Sequence, residues 1–404
     1  MNTTKFIGFA LLFLSLPGAR GEPFRTDINP ALQYYRAFLK AEPLSEADMD
    51  YLSSKKGKEQ KLPERFGQIV ANYDNQFIMV RRAAHATVPC DWGIDYSDGP
   101  NILLPHLGRA KAVAQVAQLR AVWELQHGRQ DDARDDLLAA FVLGRNAGSD
   151  PILISALVQC AIEALDYGTV AQYFGEFSPE TLKQLVAGFE AAPARHTMAA
   201  CIPLEKTAIN DWVLNKILEL QRAYPSDDAK VMAGVREMGD TNLWSRIDAA
   251  SGGTSEDIVK LVREMEPLYP RVAELMALPQ PEYEIQAKQF FADCHKSPNP
   301  FLTESAIGWE KSRPREFRVQ AQLAMVHAAV EYRLHGESGL KSVMDPFGNG
   351  PFDFQRFVFK GVHRGFELKS AYAGADAPFV MIFVEKQGPA FQITGPDAGK
   401  AIAQ

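Results

Sequence analysis

Cysteine is scarce in this chain, and Cys90, Cys160, Cys201 and Cys294 lie far apart. They form no CxxC, and no cysteine–histidine spacing suits a zinc site, so neither chemistry is expected. In an oxidising compartment four cysteines still permit three pairings. Cys160 falls in an apolar helical pattern, where a free thiol behaves as a small hydrophobe. Positive charge is also short: 43 Lys and Arg face 50 Asp and Glu, leaving −7. Without a net basic balance the chain lacks the counterion-release term that drives nucleic-acid binding, so no nucleic-acid partner is expected. The one basic run, Lys55-Lys56-Gly57-Lys58, reads as a solvated loop. HExxH, GxSxG, a Walker phosphate loop and a strand–helix GxGxxG are all missing. That does not exclude an enzyme, because catalytic groups converge from distant positions. It leaves no catalytic residue, cofactor or metal to name. Long apolar runs are also absent beyond the N-terminus. The best candidate, Ile152–Phe174, is interrupted by Glu163 and Asp166 and reads as a buried helix, not a membrane span.

The most informative stretch that is present comes first. Lys5 leads the apolar run Phe6–Leu14, and small residues follow, ending Ala19-Arg20-Gly21. A short charged start, an apolar segment too brief to span a bilayer and a small-x-small site describe a secretory signal peptide over 1–21. No Cys follows the cut to take a lipid. The mature chain is expected to start at Glu22, in the periplasm or outside the cell, with no transmembrane segment. Its length, roughly 380 residues, suits two to three domains.

Helical periodicity dominates the first three-quarters. Phe66, Ile69, Val70, Tyr73, Phe77, Val80 and Ala84 mark the buried face of one helix. Leu107, Ala110, Val113, Ala117, Ala121 and Leu125 mark the next, which stops at Gly128. Ala133, Leu137, Ala140, Phe141 and Gly144 follow on a helix whose first turn carries Asp131 and Asp132, complementing the helix dipole. Asp150-Pro151 reads as the N-cap and first position of a third helix, and Ser178-Pro179-Glu180 opens a fourth. Such consecutive helices pack as antiparallel neighbours. Further helices are expected over Leu204–Ala223, Glu256–Leu275, broken near Pro267 and Pro270, and Glu282–Cys294. Val231–Gly253 has mixed periodicity and yields no assignment.

The end changes character. Val319, Leu323, Val326, Val330 and Leu334 mark a strong helix, and Asp345–Pro351 is rich in breakers. Phe357 with Phe359, Phe366 with Leu368, and Phe379–Val384 then read as three short strands. Phe347, Phe352, Phe354, Phe357 and Phe359 read as the core of this small module.

Two resemblances follow. Ala121, Gly128, Ala133, Leu137 and Ala140, small where the helices cross and glycine at the turn, resemble one tetratricopeptide-type (TPR-like) helix pair, about 34 residues at that family's repeat length. The pattern does not recur downstream. The helix-HG-DPFxxGPF-strand-GF-strand order resembles a C-terminal segment of uncharacterised secreted bacterial helical proteins. Residues 320–372 also resemble the helix-then-hairpin tail of type II secretion major pseudopilins. The pseudopilin processing motif is absent, so the resemblance implies a helix-plus-hairpin module, not a pilus subunit.

The fold class expected is thus mainly α: stacked antiparallel helical hairpins, TPR-like or α-superhelical, with a small C-terminal α+β module. The expected organisation is 22–195 N-terminal helical domain, 196–300 continuing helical region, and 301–404 long helix plus small antiparallel β module. Stacked helical pairs commonly hold proteins or peptides on extended surfaces. The leading expectation is a non-enzymatic interaction or scaffold protein of the cell envelope, its partner another envelope protein or peptide. The alternative is an envelope hydrolase, or a metal- or carbohydrate-binding protein, using the aromatic-acidic loop 88–106. There His85, Asp91, Asp95, Asp98 and His106 surround Trp92 and Tyr96. Clustered carboxylates suit hard cations, and aromatics beside acids can grip a sugar or peptide. The same aspartates could equally make Asx-turns, with Trp92 plugging the helix layer. Cys294-His295 reads as structural, since adjacent helical residues point about 100° apart.

Overall fold

The computed structural model describes residues 24–40, 43–54, 61–238, 241–359, 361–373 and 378–387. The expected signal peptide and Lys55-Lys56-Gly57-Lys58 lie outside the described residues.

The fold is mainly α-helical with a small antiparallel sheet near the C-terminus. Helices α1 (Pro30–Phe38), α2 (Glu46–Ser53), α3 (Arg65–Asn72) and α4 (Asp74–Ala84) come first, with α1 packed on α4. The periodicity of 66–84 suggested one helix, yet α3 and α4 separate at Tyr73. In a continuous helix the Val70 carbonyl would accept from Asp74. Here it takes the Tyr73 N–H (3.0 Å) and Arg120 Nη1 (2.9 Å). A side chain from another helix therefore breaks the ladder.

Helices α5 (Pro105–Gln126) and α6 (Gln130–Ala147) form the tightest hairpin. Gly128 makes the turn at φ 74°, a left-handed conformation that side-chain-bearing residues avoid. The hairpin's outer end is bound by charge. Asp136, fully buried, receives Arg81 (2.7 Å) and Arg120 (2.9 Å), and Arg120 also reaches Asp74 (2.7 Å).

Helix α7 (Leu153–Gln172) runs through the middle of the molecule, against α5, α6 and the long α16 (Pro300–His335). Its length and apolarity would allow it to cross a membrane, but most of it is covered by these neighbours. Its buried polar residues have unequal company. Glu163 is held by Arg145 (2.6 Å) and Arg195. Asp166, one turn on, is fully buried with neither carboxylate oxygen hydrogen-bonded. Helix α8 (Pro179–Ala191) lies against α6 and α16, closed at its start by Ser178, which accepts from the Thr181 N–H (3.1 Å).

Helix α9 (Met198–Glu205) passes into a π turn, Lys206–Asp211, before α10 (Trp212–Ala223). Pro203 lacks an N–H, and Thr207 Oγ1 donates to its carbonyl (3.1 Å), so the regular ladder widens where a plain helix was expected. The unassigned 231–253 stretch holds α11 (Asp228–Arg236) and α12 (Thr241–Ala250). With α10, α13 (Ser255–Met265) and Phe301 these enclose a small separate core around Ile217, Val235, Trp244 and Ile258. Helices α14 (Leu268–Ala277) and α15 (Gln280–His295) lead on to α16, which begins at Pro300, well before the Val319 that marked it in the sequence, and contains Pro314. Helix α17 (Glu337–Ser342) ends the helical run.

The breaker-rich turn is organised by Asp345, which accepts from the Phe347 N–H (3.0 Å), the Ala371 N–H (2.6 Å) and Ser370 Oγ (2.9 Å). The sheet has the order β1 (Asp353–Phe359), β2 (Val362–Ala373), β3 (Pro378–Val384), all antiparallel, with Phe354 opposite Leu368 and Phe366 opposite Phe383. Its inner face is not a separate core. Phe366 and Phe383 meet Phe174 at the end of α7 (5.7 and 5.3 Å between centroids), and Tyr332 of α16 packs on Phe354 and Phe366 (4.8 and 4.9 Å). The four cysteines are free thiols, with Cys160, Cys201 and Cys294 buried, so the permitted disulfides are not formed. Cys294 and His295 do not form a pair: His295 Nε2 meets Glu310 (2.8 Å).

Candidate functional site

The aromatic-acidic loop joins α4 to α5 and is pinned at several points. Asn29, the N-cap of α1, grips it with both ends of its amide. Oδ1 accepts from Ala31 N–H (3.0 Å) and Asp91 N–H (3.2 Å), while Nδ2 donates to the Asp91 carbonyl (2.7 Å). Thr87 N–H donates to the Thr26 carbonyl (2.8 Å), and the Tyr35 hydroxyl donates to that of Trp92 (3.1 Å).

Within this frame the seven residues singled out from the sequence divide. Asp91 accepts from Gly93 N–H and Asp95 from Ser97 N–H, each at 2.9 Å. These are turn bonds inside the loop, and those to Ser97 hold the Asp95 carboxyl below its ordinary range. Asp91, Asp95 and Asp98 are exposed, as is His85 at the end of α4. Trp92, Tyr96 and His106 point the other way.

Trp92 is 3% exposed and stacks on the His106 imidazole at 4.5 Å, with Tyr34 on the same plug at 5.6 Å. Its Nε1 donates to the Asn146 carbonyl (2.7 Å), and Asn146 Nδ2 donates to the Tyr34 hydroxyl (3.0 Å). His106, fully buried, brings Nε2 to 3.3 Å from Asp150 Oδ2, without the alignment of a hydrogen bond. The Tyr96 hydroxyl and Ser149 Oγ are likewise buried with no hydrogen-bond partner. Burial first, and the Asp150 carboxylate second, push the Tyr96 phenol well above its ordinary range.

Asp150 was expected to cap α7. The helix begins at Leu153 instead, with Ile152 at its cap, because Glu205 of α9 supplies the acceptor, Oε1 taking the Leu153 N–H at 2.9 Å. The Asp150 carboxylate is thereby left to the His106 side.

Beside this cluster lies a cleft of about 810 Å³, between the end of α4, loop residues 85–90, α6, α8 and residues 192–196. Ala84, Ala139, Val142, Ala191 and Ala192 give it an apolar lining. Cys90, Asn146, Ser149 and His196 bring polar atoms, and Arg81, Asp135 and Arg145 bring charge. Arg81 and Arg145 are already paired with Asp136 and Glu163. Burial pushes the Cys90 thiol up to about 12 and draws the His196 imidazole below its ordinary value. At neutral pH both are therefore uncharged. This surface suits contact and hydrogen bonding; a thiolate nucleophile would need the opposite shift. Among the described residues no three His, Cys, Asp or Glu side chains are grouped so as to hold a metal ion.

Of the expected site residues only His85 lines the cleft, at its rim; Asp91, Asp95 and His106 do not line it. The residues that sequence reasoning missed, Cys90, Arg145, Asn146, Ser149 and His196, share no local spacing. Only the packing of α6 and α8 against the loop brings them together. Comparison with known protein families, characterised proteins and solved structures returns no match to this chain.

Proposed function

We propose that this protein is an exported, non-enzymatic interaction protein of the cell envelope that holds an extended segment of a protein partner in the cleft beside α6 and α8. The observation that carries this reading is the cleft itself. Its volume, about 810 Å³, lies toward the upper end of the range for binding sites. Its walls are mostly alanine, valine and proline, and Cys90, Asn146, Ser149 and His196 add polar atoms to them. The raised Cys90 thiol argues against a thiolate nucleophile in the cleft. The TPR-like likeness of the α5–α6 hairpin agrees with such a role, though it is a fold-level analogy. Export rests on the charged, apolar and small-residue order of 1–21.

The test uses the mature chain, Glu22 to Gln404, tagged and expressed in its native envelope, with mild crosslinking and identification of what co-purifies. Val142→Trp fills the cleft from a half-buried position on its wall. The expected result is one stoichiometric partner that crosslinks to residues of α6 or α8 and is lost in V142W. An empty pull-down, or a partner retained in full by a folded V142W, refutes the assignment.

A further inference from the structure

The cleft beside α6 holds a polar group that the fold positions but does not use. Asn146, in the last turn of α6, is 7% exposed and lines the cleft. Three bonds fix it. Its carbonyl accepts from Trp92 Nε1 (2.7 Å) and the Ser149 N–H (3.1 Å), and its Nδ2 donates to the Tyr34 hydroxyl (3.0 Å). These bonds set the direction of the amide and leave Oδ1 with no partner among the described residues. The orphaned polar atoms of His106, Tyr96 and Ser149 are sealed from solvent; Oδ1 stays open to the cleft.

Asp135, Ala139, Val142 and Asn146 all line the cleft, and their spacing of four, three and four places them along one face of α6. That stripe is about 16 Å long at the rise of an α-helix. An extended segment lying along it covers the stripe with about five residues. Two apolar side chains occupy the middle, and the free oxygen stands at one end.

The charge pattern narrows the occupant. Arg81 is paired with Asp136 (2.7 Å), Arg145 with Glu163 (2.6 Å) and Asp135 with Arg134 (2.8 Å). A charged side chain entering the cleft would lose water without gaining a free opposite charge from these residues. A backbone N–H is a neutral donor that an extended segment always carries. Covering Oδ1 without replacing its water would leave an unpaired acceptor, so the occupant must supply a donor there. We propose that Asn146 Oδ1 positions the bound segment by accepting one of its backbone N–H groups, and that the segment is an uncharged stretch of polypeptide. This rests on the reading of the cleft as a peptide-holding site.

The test starts from a phage-displayed library of random heptapeptides, selected on the mature chain. Peptides that also bind V142W, in which the cleft is filled, are discarded. Those that remain are expected to be poor in charged residues. In the strongest binder each backbone amide is replaced in turn by an ester, which removes one N–H at a time, and affinity is read by fluorescence anisotropy. One replacement should weaken binding to the unmodified chain by about tenfold, the loss of one hydrogen bond. Asn146→Leu should weaken the parent peptide to a similar degree and make that ester cost nothing further, because both changes remove the same bond. Asn146→Asp keeps an oxygen in place and should keep the ester penalty. Melting curves identify a variant that fails to fold, and if N146L is one, the ester scan on the unmodified chain and on N146D decides. If every selected peptide also binds V142W, the cleft reading falls and this proposal with it. A cleft-bound peptide with no sensitive amide, a full ester penalty in folded N146L, its loss in folded N146D, or a selection rich in Lys, Arg, Asp or Glu would overturn this proposal alone.

Discussion

Replacing Asp166 with asparagine should change how stability depends on pH. Asp166 is fully buried in α7, neither carboxylate oxygen has a partner, and Glu163 lies one turn away. Burial first, and the Glu163 charge second, raise its pKa well above the ordinary 3.8. The folded state therefore keeps a proton that the unfolded chain releases above pH 4 or so. In that window the folded state binds more protons, so stability falls as pH rises. The slope is about 1.4 kcal/mol per pH unit for as long as the folded carboxyl stays protonated. Asn cannot ionise, so D166N lacks this slope, and at pH 4 it costs little because one buried polar group replaces another. Urea unfolding of both proteins at pH 5, 6 and 7, followed by circular dichroism, reads the difference. D166N should gain on the parent as pH rises, by about 1.4 kcal/mol per unit while the folded carboxyl keeps its proton. A gap that stays constant from pH 5 to 7 would show an ionised, stabilised Asp166 and refute the reasoning.

Glu163→Gln leaves the Arg145 and Arg195 guanidiniums buried without their counter-charge, and urea unfolding should show a loss of about 3–5 kcal/mol; a loss below 1 kcal/mol would mean that water compensates them. Asn29→Ala removes both the α1 cap and the grip on Asp91, for about 1–2 kcal/mol, with faster amide exchange in the loop as the local readout. Unchanged exchange at Asp91 and Trp92 would place the anchor elsewhere. Truncation after Gly336 removes Phe366 and Phe383 from Phe174 and Tyr332, so the remaining helices should fail to give a cooperative melt. A folded, cooperative fragment would instead make the sheet an independent module.

The elements legible in the sequence are those whose cause is local. Gly128 needs a left-handed turn, Asp131 and Asp132 suit a first helical turn, and the phenylalanine alternation around 357–384 has the period of strands, so the α5–α6 hairpin and the sheet could be read directly. The break at Tyr73 could not, because its cause is Arg120, some fifty residues away, taking the Val70 carbonyl. Asp150 looked like a cap because only local acceptors can be read, and Glu205 was invisible. The loop drew notice for its aspartates, yet these turn the loop itself, while Trp92 and His106 are packed beneath it. The cleft was illegible for the same reason as the Tyr73 break. Its polar lining spans Cys90 to His196, and only helix packing makes those residues neighbours.

The position of α7 has a consequence for how this chain must be made. This long apolar helix is synthesised before its cover: α16 and the sheet come much later, and Gln387 closes the last carbonyl of α7, donating to Gln172 at 2.9 Å. Until Phe366 and Phe383 have emerged, the apolar surface around Phe174 lacks its cover. A product cut off before the sheet therefore leaves the Phe174 end of α7 as an adhesive flank. A holding chaperone would have most to protect there.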